Sequence, residues 1–136
     1  MKRIGIIANC GKPRAPKVMK ALAALAKDLK LTLLADEATA TLLKRCKTMP
    51  ADQLCDKADA IVALGGDGTM LRAVRALDGR DKPVMGVNIG GLGFLTSVAE
   101  EELVRAMKCL AEGDFQVRER AVAEAYVIRK GDRSAV

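Results

Sequence analysis

A chain of 136 residues is long enough for one domain of ordinary size and too short for two complete domains. It contains no histidine, which excludes Ser-His-Asp catalysis, Cys-His catalysis and zinc sites that depend on histidine ligands. A net charge of +6 suits an anionic partner, but only 2% of the residues are aromatic and the basic residues are scattered, which favours a phosphorylated small molecule over nucleic acid.

The cysteine spacing and the lack of long apolar runs bear on the cellular compartment. No C-x-x-C pair occurs, so the sequence predicts neither a metal cluster nor a redox motif, and the four cysteines are interpreted as reduced thiols. No apolar run has the length of a membrane span, and the first residues lead into a strand-like segment instead of a signal peptide. We therefore expect a cytoplasmic protein without membrane contact.

The first part of the chain predicts alternating strands and helices. Residues 2–9 are predicted as a first strand, and their near-continuous isoleucine content is typical of a parallel strand that is buried on both faces. A loop with Lys12 and Arg14 leaves the carboxyl end of this strand. Helical spacing predicts an amphipathic helix over 17–30, and residues 31–34 follow as a short strand. Residues 36–56 are polar, with a weak helical pattern at 40–47, and receive no role.

The chain is organised around residues 58–77, where an aliphatic strand ends at the glycine motif Gly65-Gly66-Asp67-Gly68-Thr69. A helix over 69–77 follows this motif directly. The residues expected on the buried face of that helix are Met70, Leu71, Val74 and Leu77.

The glycines of this loop predict a phosphate site. Because Gly65, Gly66 and Gly68 lack Cβ atoms, we expect positive φ angles and a close approach of phosphate oxygens to backbone N–H groups at the helix start. A carboxylate repels a bare phosphate, so Asp67 fits this loop if it holds a bridging metal or accepts a proton from an attacking hydroxyl. The alternative is an ordinary strand-to-helix turn in which Asp67 bonds a backbone N–H.

A further strand, over 83–88, also runs into glycines. The second glycine motif reads Gly86-Val87-Asn88-Ile89-Gly90-Gly91-Leu92-Gly93-Phe94-Leu95. In a parallel sheet with alternating helices, ligands bind beyond the carboxyl ends of the strands. We therefore expect Asp67 and Asn88 to face one cleft.

Another amphipathic helix is predicted after the second motif. Ser97 and Glu100 are expected to form its capping box, and Gly113 is expected to end it. Its apolar positions, spaced for one helix face, are Leu103, Met107 and Leu110.

From residue 115 onward, apolar residues alternate with charged ones. This period of two predicts a solvent-facing antiparallel strand, for which no partner strand is expected before residue 136. The predicted architecture is therefore an α/β domain over 1–114, with a Rossmann-like parallel sheet and flanking helices, and the start of an incomplete β-rich domain over 115–136. Because an unpaired strand invites pairing with another chain, we expect a homo-oligomer formed through residues 117–128.

Taken together, the two glycine motifs resemble those of the NAD kinases. The first motif also occurs in diacylglycerol and sphingosine kinases and, in a close variant, in phosphofructokinases, whereas the second points to the NAD kinases. The resemblance covers residues 2–128. Family members continue into a β-rich domain with an Asn-Glu motif, which this sequence does not contain.

The resemblance implies phosphoryl transfer from ATP, or from polyphosphate, to the adenosine-ribose 2′-hydroxyl of NAD, which gives NADP. It implies Mg²⁺ or another divalent cation as cofactor and Asp67 as both the catalytic proton acceptor and the metal-associated acid, acting indirectly or through Mg-ATP. Without the rest of the family's fold, the isolated chain is expected to be inactive. The other implied contacts to substrate are Gly65, Gly66, Gly68, Thr69, Arg72, Asn88 and Phe94.

Two other classes of function stay open on the residues alone. The first is a lipid or sugar kinase that shares the first motif, although a lipid kinase would be expected to carry an apolar membrane-facing surface that no segment shows. The second is a nucleotide-binding module that binds without turnover. Assays with NAD, diacylglycerol and fructose phosphate as acceptors separate the enzymes, and binding without turnover would identify the module.

Overall fold

Six parallel strands form the central sheet of the computed structural model, which describes residues 1–43, 46–91, 93–123, 125–129 and 132–135. The strands are β1 (Arg3–Ala8), β2 (Thr32–Ala35), β3 (Lys47–Thr48), β4 (Ala60–Gly65), β5 (Val84–Asn88) and β6 (Val98–Ala99). They lie in the order β3-β2-β1-β4-β5-β6. All neighbouring pairs are parallel, which confirms the predicted Rossmann-like sheet.

Helices cover both faces of this sheet. They are α1 (Ala15–Asp28), α2 (Glu37–Ala40), α3 (Ala51–Lys57), α4 (Asp67–Leu77) and α5 (Leu103–Glu112), with a 3-10 turn at Glu100–Glu102 before α5. One apolar cluster packs α1 and α5 on one face, and a second packs α3 and α4 on the other. Val62 of β4 belongs to the first cluster and Ile61 to the second, so burial on both faces explains the aliphatic sequence of β4.

The predicted apolar face of α4 is only partly correct. The residues of α4 that are buried are Thr69, Ala73 and Leu77, whereas Leu71 is 59% exposed. Ala73, which the predicted face did not include, packs in the apolar cluster with Ile61 and Ala63 of β4. Within the described part of the chain, no helix is both long and apolar enough to cross a membrane.

The segment 36–56 differs most from prediction. The helix expected at 40–47 is wrong, since the short α2 ends at Ala40; Lys44 and Arg45 lie outside the described residues. Asp36 caps α2 by accepting a hydrogen bond from the N–H of Thr39 at 2.8 Å. The strand β3 and the helix α3 were not predicted, because β3 has two residues and α3 has no apolar pattern of any length.

The capping box expected from Ser97 and Glu100 is also wrong. The side chain of Glu102 accepts the hydrogen bond from the N–H of Ala99, at 3.2 Å. Glu100 instead forms an ion pair with Arg14, 2.9 Å apart, which holds the start of this turn against the loop after β1. The rest of the prediction is confirmed. Leu103, Met107 and Leu110 are buried, and Gly113 ends α5 with a φ of 81°.

The C-terminal segment forms an antiparallel hairpin of β7 (Tyr126–Arg129) and β8 (Asp132–Ala135). The expectation that no partner strand follows is therefore wrong. Residues 114–123 form no strand, although their apolar residues alternate. Val117 and Val122 are 64% and 74% exposed, so no neighbouring strand covers them and alternation alone does not order this stretch.

A carboxylate fastens β1 to the turn before β4. Asp59 accepts hydrogen bonds from the backbone N–H groups of Arg3 and Lys2, at 2.9 Å each, and from the Arg3 guanidinium at 2.8 Å. The two backbone N–H groups, with the guanidinium, lower the pKa of Asp59 to about 2.

This pKa predicts an acid-sensitive contribution to stability. We expect Asp59→Asn to lower the free energy of unfolding by about 1–2 kcal/mol at neutral pH. Because the folded-state pKa is depressed, the contribution is present above the unfolded value of 3.8 and is mostly lost as the pH falls to about 2. Urea unfolding of the chain, the variant and an Asp81→Asn control at pH 7 and pH 2 measures it. A difference of equal size at both pH values would contradict the assignment.

Candidate active site at the carboxyl edge of the sheet

A cavity lies beyond the carboxyl ends of β1 and β4, which are neighbours in the sheet. The chain passes from β1 to α1 on one face and from β4 to α4 on the other, and ligands bind at such topological switch points. The two strand ends are joined, because the N–H of Asn9 donates to the carbonyl of Leu64 at 2.9 Å. This switch-point cavity has a volume of about 450 Å³ and is lined by Asn9, Lys12, Gly66, Asp67, Gly68, Thr69 and Arg72.

The first glycine motif joins β4 to α4 with no intervening loop, as Gly66 alone separates the two elements. No side chain among the described residues caps α4, and the N–H of Thr69 donates to the carbonyl of Gly66 at 3.0 Å. The N–H groups without a helical partner are therefore those of Asp67 and Gly68, and both residues line the switch-point cavity. The predicted positive φ angles are wrong. Among the described glycines, those with positive φ are Gly79, Gly90, Gly91 and Gly113.

The absence of a side chain matters in two different ways among the three glycines of this motif. A Cβ on Gly65 would lie 2.8 Å from the Cβ of Thr69, so Gly65 allows Thr69 to pack against the end of β4. A Cβ on Gly66 or Gly68 would meet no atom within 4 Å. The missing side chains of Gly66 and Gly68 therefore leave room in the switch-point cavity, which is where a ligand would sit.

Asp67 connects the two glycine motifs. Its carboxylate accepts hydrogen bonds from the backbone N–H groups of Leu95 at 2.9 Å and Phe94 at 3.1 Å. These two bonds hold the pKa of Asp67 below its ordinary value, so the carboxylate is ionised at neutral pH. A Cβ on Gly93 would lie 2.8 Å from Asp67 Oδ1, so this close approach depends on glycine.

Asn88 lies near Asp67 but does not line the switch-point cavity. A Cβ on Gly93 would also lie 3.5 Å from the side-chain nitrogen of Asn88, so the polar groups of Asp67 and Asn88 both lie beside Gly93. The amide of Asn88 donates to the carbonyl of Gly91, within its own loop. The structure thus brings Asn88 and Asp67 to one edge of the sheet.

The other two predicted contacts, Arg72 and Phe94, differ in their surroundings. Arg72 donates from Nη2 to the carbonyl of Ala8 at 2.7 Å, and the same nitrogen lies 4.0 Å from Asp36 Oδ2. It therefore braces the carboxyl end of β1. Phe94 is 91% exposed, so it contributes nothing to the core and is free to contact a ligand.

Two lining residues, Asn9 and Lys12, were not predicted as site residues. Asn9 ends β1, and its side chain accepts a hydrogen bond from the N–H of Gly11 at 3.1 Å. Lys12 is half-buried in the loop that follows. The available signal was topological: a loop at the carboxyl end of the strand next to β4 borders the site.

The residues around the cavity suit a metal ion that arrives with phosphate. No group of three His, Cys, Asp or Glu side chains that could hold a metal occurs among the described residues. Asp67 is the carboxylate that lines the switch-point cavity. Mg²⁺ is commonly held by one or two carboxylates together with substrate phosphates, and that binding mode fits this site.

The fold and the cavity define a Rossmann-like α/β domain with a ligand site at its topological switch point. The sequence model of the ATP-NAD kinase N-terminal domain matches residues 4–115. The chain therefore belongs to the ATP-NAD kinase family.

Individual relatives agree with this assignment. The chain is 39% identical over 132 residues to the NAD kinase of Geobacter metallireducens, covering 97% of this chain and 46% of the relative. It is 38% identical over 132 residues to the NAD kinase of Gemmatimonas aurantiaca, and this match covers 97% of this chain and 44% of that relative. Yeast NADH kinase in complex with NADH shares the fold, with a TM-score of 0.83 at 19% identity over 100% of this chain and 45% of that one. The chain thus spans about half the length of the relatives it matches.

Proposed function

We propose that this chain forms one wall of the active site of an NAD kinase. The complete enzyme would transfer a phosphoryl group from ATP, or from polyphosphate, to the adenosine-ribose 2′-hydroxyl of NAD and so produce NADP. The position of Asp67 carries the proposal, because this residue lines the switch-point cavity and also bonds the second glycine motif. Membership of the ATP-NAD kinase family supports the same reaction.

In this mechanism, the start of α4 binds phosphate oxygens. Gly66 and Gly68 leave space beside the uncapped N–H groups of the first turn, and a helix N-terminus attracts anions through those donors and its dipole. Fixed donors of this kind stabilise the charge that spreads over the phosphoryl oxygens during transfer. Mg²⁺ would supply further charge neutralisation when it is bound with the nucleotide, and Asp67 is the residue placed to hold it.

Asp67 orients the 2′-hydroxyl and accepts its proton. The lowered pKa keeps the carboxylate ionised but makes it a weak base. Phosphoryl transfer leaves little covalent work for protein groups, so orienting the hydroxyl is the larger part of this role. A carboxylate has about four lone-pair sites, so the bonds to Phe94 and Leu95 leave capacity for a substrate hydroxyl.

The remaining predicted contacts act at the edges of this site. Phe94 follows the loop held by Asp67 and is exposed, so its ring can pack against the adenine of NAD. Arg72 keeps further guanidinium donors for NAD beyond the one used by Ala8. Asn88, which is hydrogen-bonded to Gly91, shapes the second motif and lies next to Asp67.

The opposite wall of the cleft belongs, in this proposal, to a C-terminal β-rich domain. Residues 1–114 are the α/β domain and residues 115–136 begin the next one. The hairpin of β7 and β8 has two strands, and its outer edges are suited to pairing with further strands of that domain or of a second copy. A homo-oligomer would therefore pair through these edges, since the unpaired strand expected within residues 117–128 does not form over 117–123.

The test is a chimera in which residues 1–136 replace the N-terminal half of the Geobacter metallireducens NAD kinase. We expect the chimera with Mg-ATP to phosphorylate NAD, and the 136-residue chain alone to give no NADP at a useful rate. Diacylglycerol and fructose phosphate serve as competing acceptors, and polyphosphate as a competing donor. Preference for either other acceptor would assign a lipid or sugar kinase, and nucleotide binding without turnover would assign a binding module. Robust activity of the isolated chain would overturn the model of a cleft with two walls.

A further inference from the structure

Two cationic side chains, Lys12 and Arg72, line the switch-point cavity. Arg72 is already engaged, because it donates to the carbonyl of Ala8 at 2.7 Å and lies 4.0 Å from Asp36. Its charge is therefore partly neutralised by a carboxylate that itself caps α2. Removing Arg72 would loosen the contacts between the end of β1 and the start of α2.

Lys12 has different surroundings. Its backbone is fixed, since its N–H donates to Asn9 at 3.3 Å and its carbonyl accepts from Ala15 at 2.9 Å. Its side chain is half-buried and forms no ion pair with any carboxylate in the described part of the chain. The nearest basic neighbour in sequence, Arg14, is paired with Glu100. Because its backbone is fixed and its ammonium group has no ion pair among the described residues, Lys12 is suited to binding an anionic ligand at the wall of the cavity.

We infer that Lys12 binds phosphate oxygens of the nucleotide that occupies the switch-point cavity. The inference rests on the proposed function for the identity of the nucleotide. An ammonium acts on phosphate as a point charge with rotatable donors, so it tolerates several phosphate positions. The phosphate could belong to ATP or to the pyrophosphate of NAD, and the chemistry of recognition is the same for both.

Calorimetric titration of the 136-residue chain with inorganic tripolyphosphate, ATP and NAD separates these sources. We expect Lys12→Gln to weaken binding by about tenfold, the loss of one charge-assisted hydrogen bond. Lys12→Arg should retain most of the affinity. Raising the salt concentration should reduce the difference in affinity between the unaltered chain and Lys12→Gln. Lys17→Gln is the matched control, since Lys17 is exposed on α1 and does not line the cavity.

If Lys12→Gln weakens the binding of tripolyphosphate and ATP but not of NAD, Lys12 binds the phosphates of ATP. If it weakens the binding of NAD only, Lys12 binds the pyrophosphate of NAD. The inference is overturned if Lys12→Gln binds all three ligands as the unaltered chain does, or if the unaltered chain binds none of them.

These outcomes are distinguishable from failure of the proposed function. A chimera that makes no NADP while Lys12→Gln still weakens tripolyphosphate binding refutes the kinase assignment and leaves the phosphate site standing. A chimera that makes NADP with the same KM for ATP and NAD in the Lys12→Gln form refutes the role of Lys12 and leaves the kinase assignment standing.

Discussion

Asp67→Asn in the chimera is expected to lower kcat for NADP formation by about 10²- to 10⁴-fold, the usual contribution of a general base. Asparagine keeps the shape of the side chain and removes the charge that orients a hydroxyl or holds a metal. It also presents one N–H group to the loop amides, where the carboxylate accepts from both Phe94 and Leu95. The variant should therefore be folded, with a less firmly held second motif.

Three measurements test the effect of Asp67→Asn. Circular dichroism checks the fold, steady-state kinetics measures kcat, and amide hydrogen exchange at Phe94 and Leu95 reports on the loop. Asp81→Asn, an exposed carboxylate outside the switch-point cavity, is the control. A near-normal kcat together with faster exchange would show that Asp67 fastens the two motifs and takes no part in the chemistry.

The lowered pKa of Asp67 also predicts how the activity of the chimera depends on pH. Because the backbone N–H groups of Leu95 and Phe94 hold the pKa of Asp67 below its ordinary value, the carboxylate stays ionised as the pH falls through the weakly acidic range. Protonation of Asp67 should therefore cause no loss of activity between about pH 7 and 5. A pH profile of kcat for the chimera checks this, and an acid limb in that range that disappears in Asp67→Asn would contradict the assigned pKa.

The sheet could be predicted because each buried strand shows in the sequence as a short run of aliphatic residues. The runs at β1, β4 and β5 are aliphatic because two layers of helices cover them, and such runs are visible in one sequence. The helix α5 was equally predictable, since Leu103, Met107 and Leu110 repeat at helical spacing. The elements β3 and α3 were missed because they are too short to show a period.

The sequence pointed to Asp67 and to the two glycine motifs, but not to the contacts between them. The bonds from Phe94 and Leu95 to Asp67 depend on the parallel register that places Gly65 opposite Asn88. A sequence shows two glycine motifs, but it does not show the register that brings them together. The same holds for Arg72, whose carbonyl partner is 64 residues away in the chain.

Substitutions of glycines in the first motif are also expected to have large effects. At Gly68, a side chain should raise the stability of the chain and lower its affinity for ATP. Gly68 lies in the first turn of α4 with a negative φ, and a Cβ there meets no atom within 4 Å. Glycine in a helix costs roughly 0.5–1 kcal/mol relative to alanine, so Gly68→Ala should stabilise the chain by about that amount. Any side chain at this position, however, enters the switch-point cavity.

Gly68→Val should therefore fold normally and lose ATP binding, since its side chain would occupy the space that the phosphate needs beside the backbone. Gly66→Val should behave in the same way, because its Cβ position is equally open. Gly65→Ala provides the contrast: its Cβ would lie 2.8 Å from the Cβ of Thr69 and 3.2 Å from that of Asn9, so this variant should lose stability first. Thermal unfolding and ATP titration of the three variants test the scheme. A folded Gly68→Val chain that binds ATP as tightly as the original would mean that the motif is an ordinary strand-to-helix turn and that the ligand lies elsewhere.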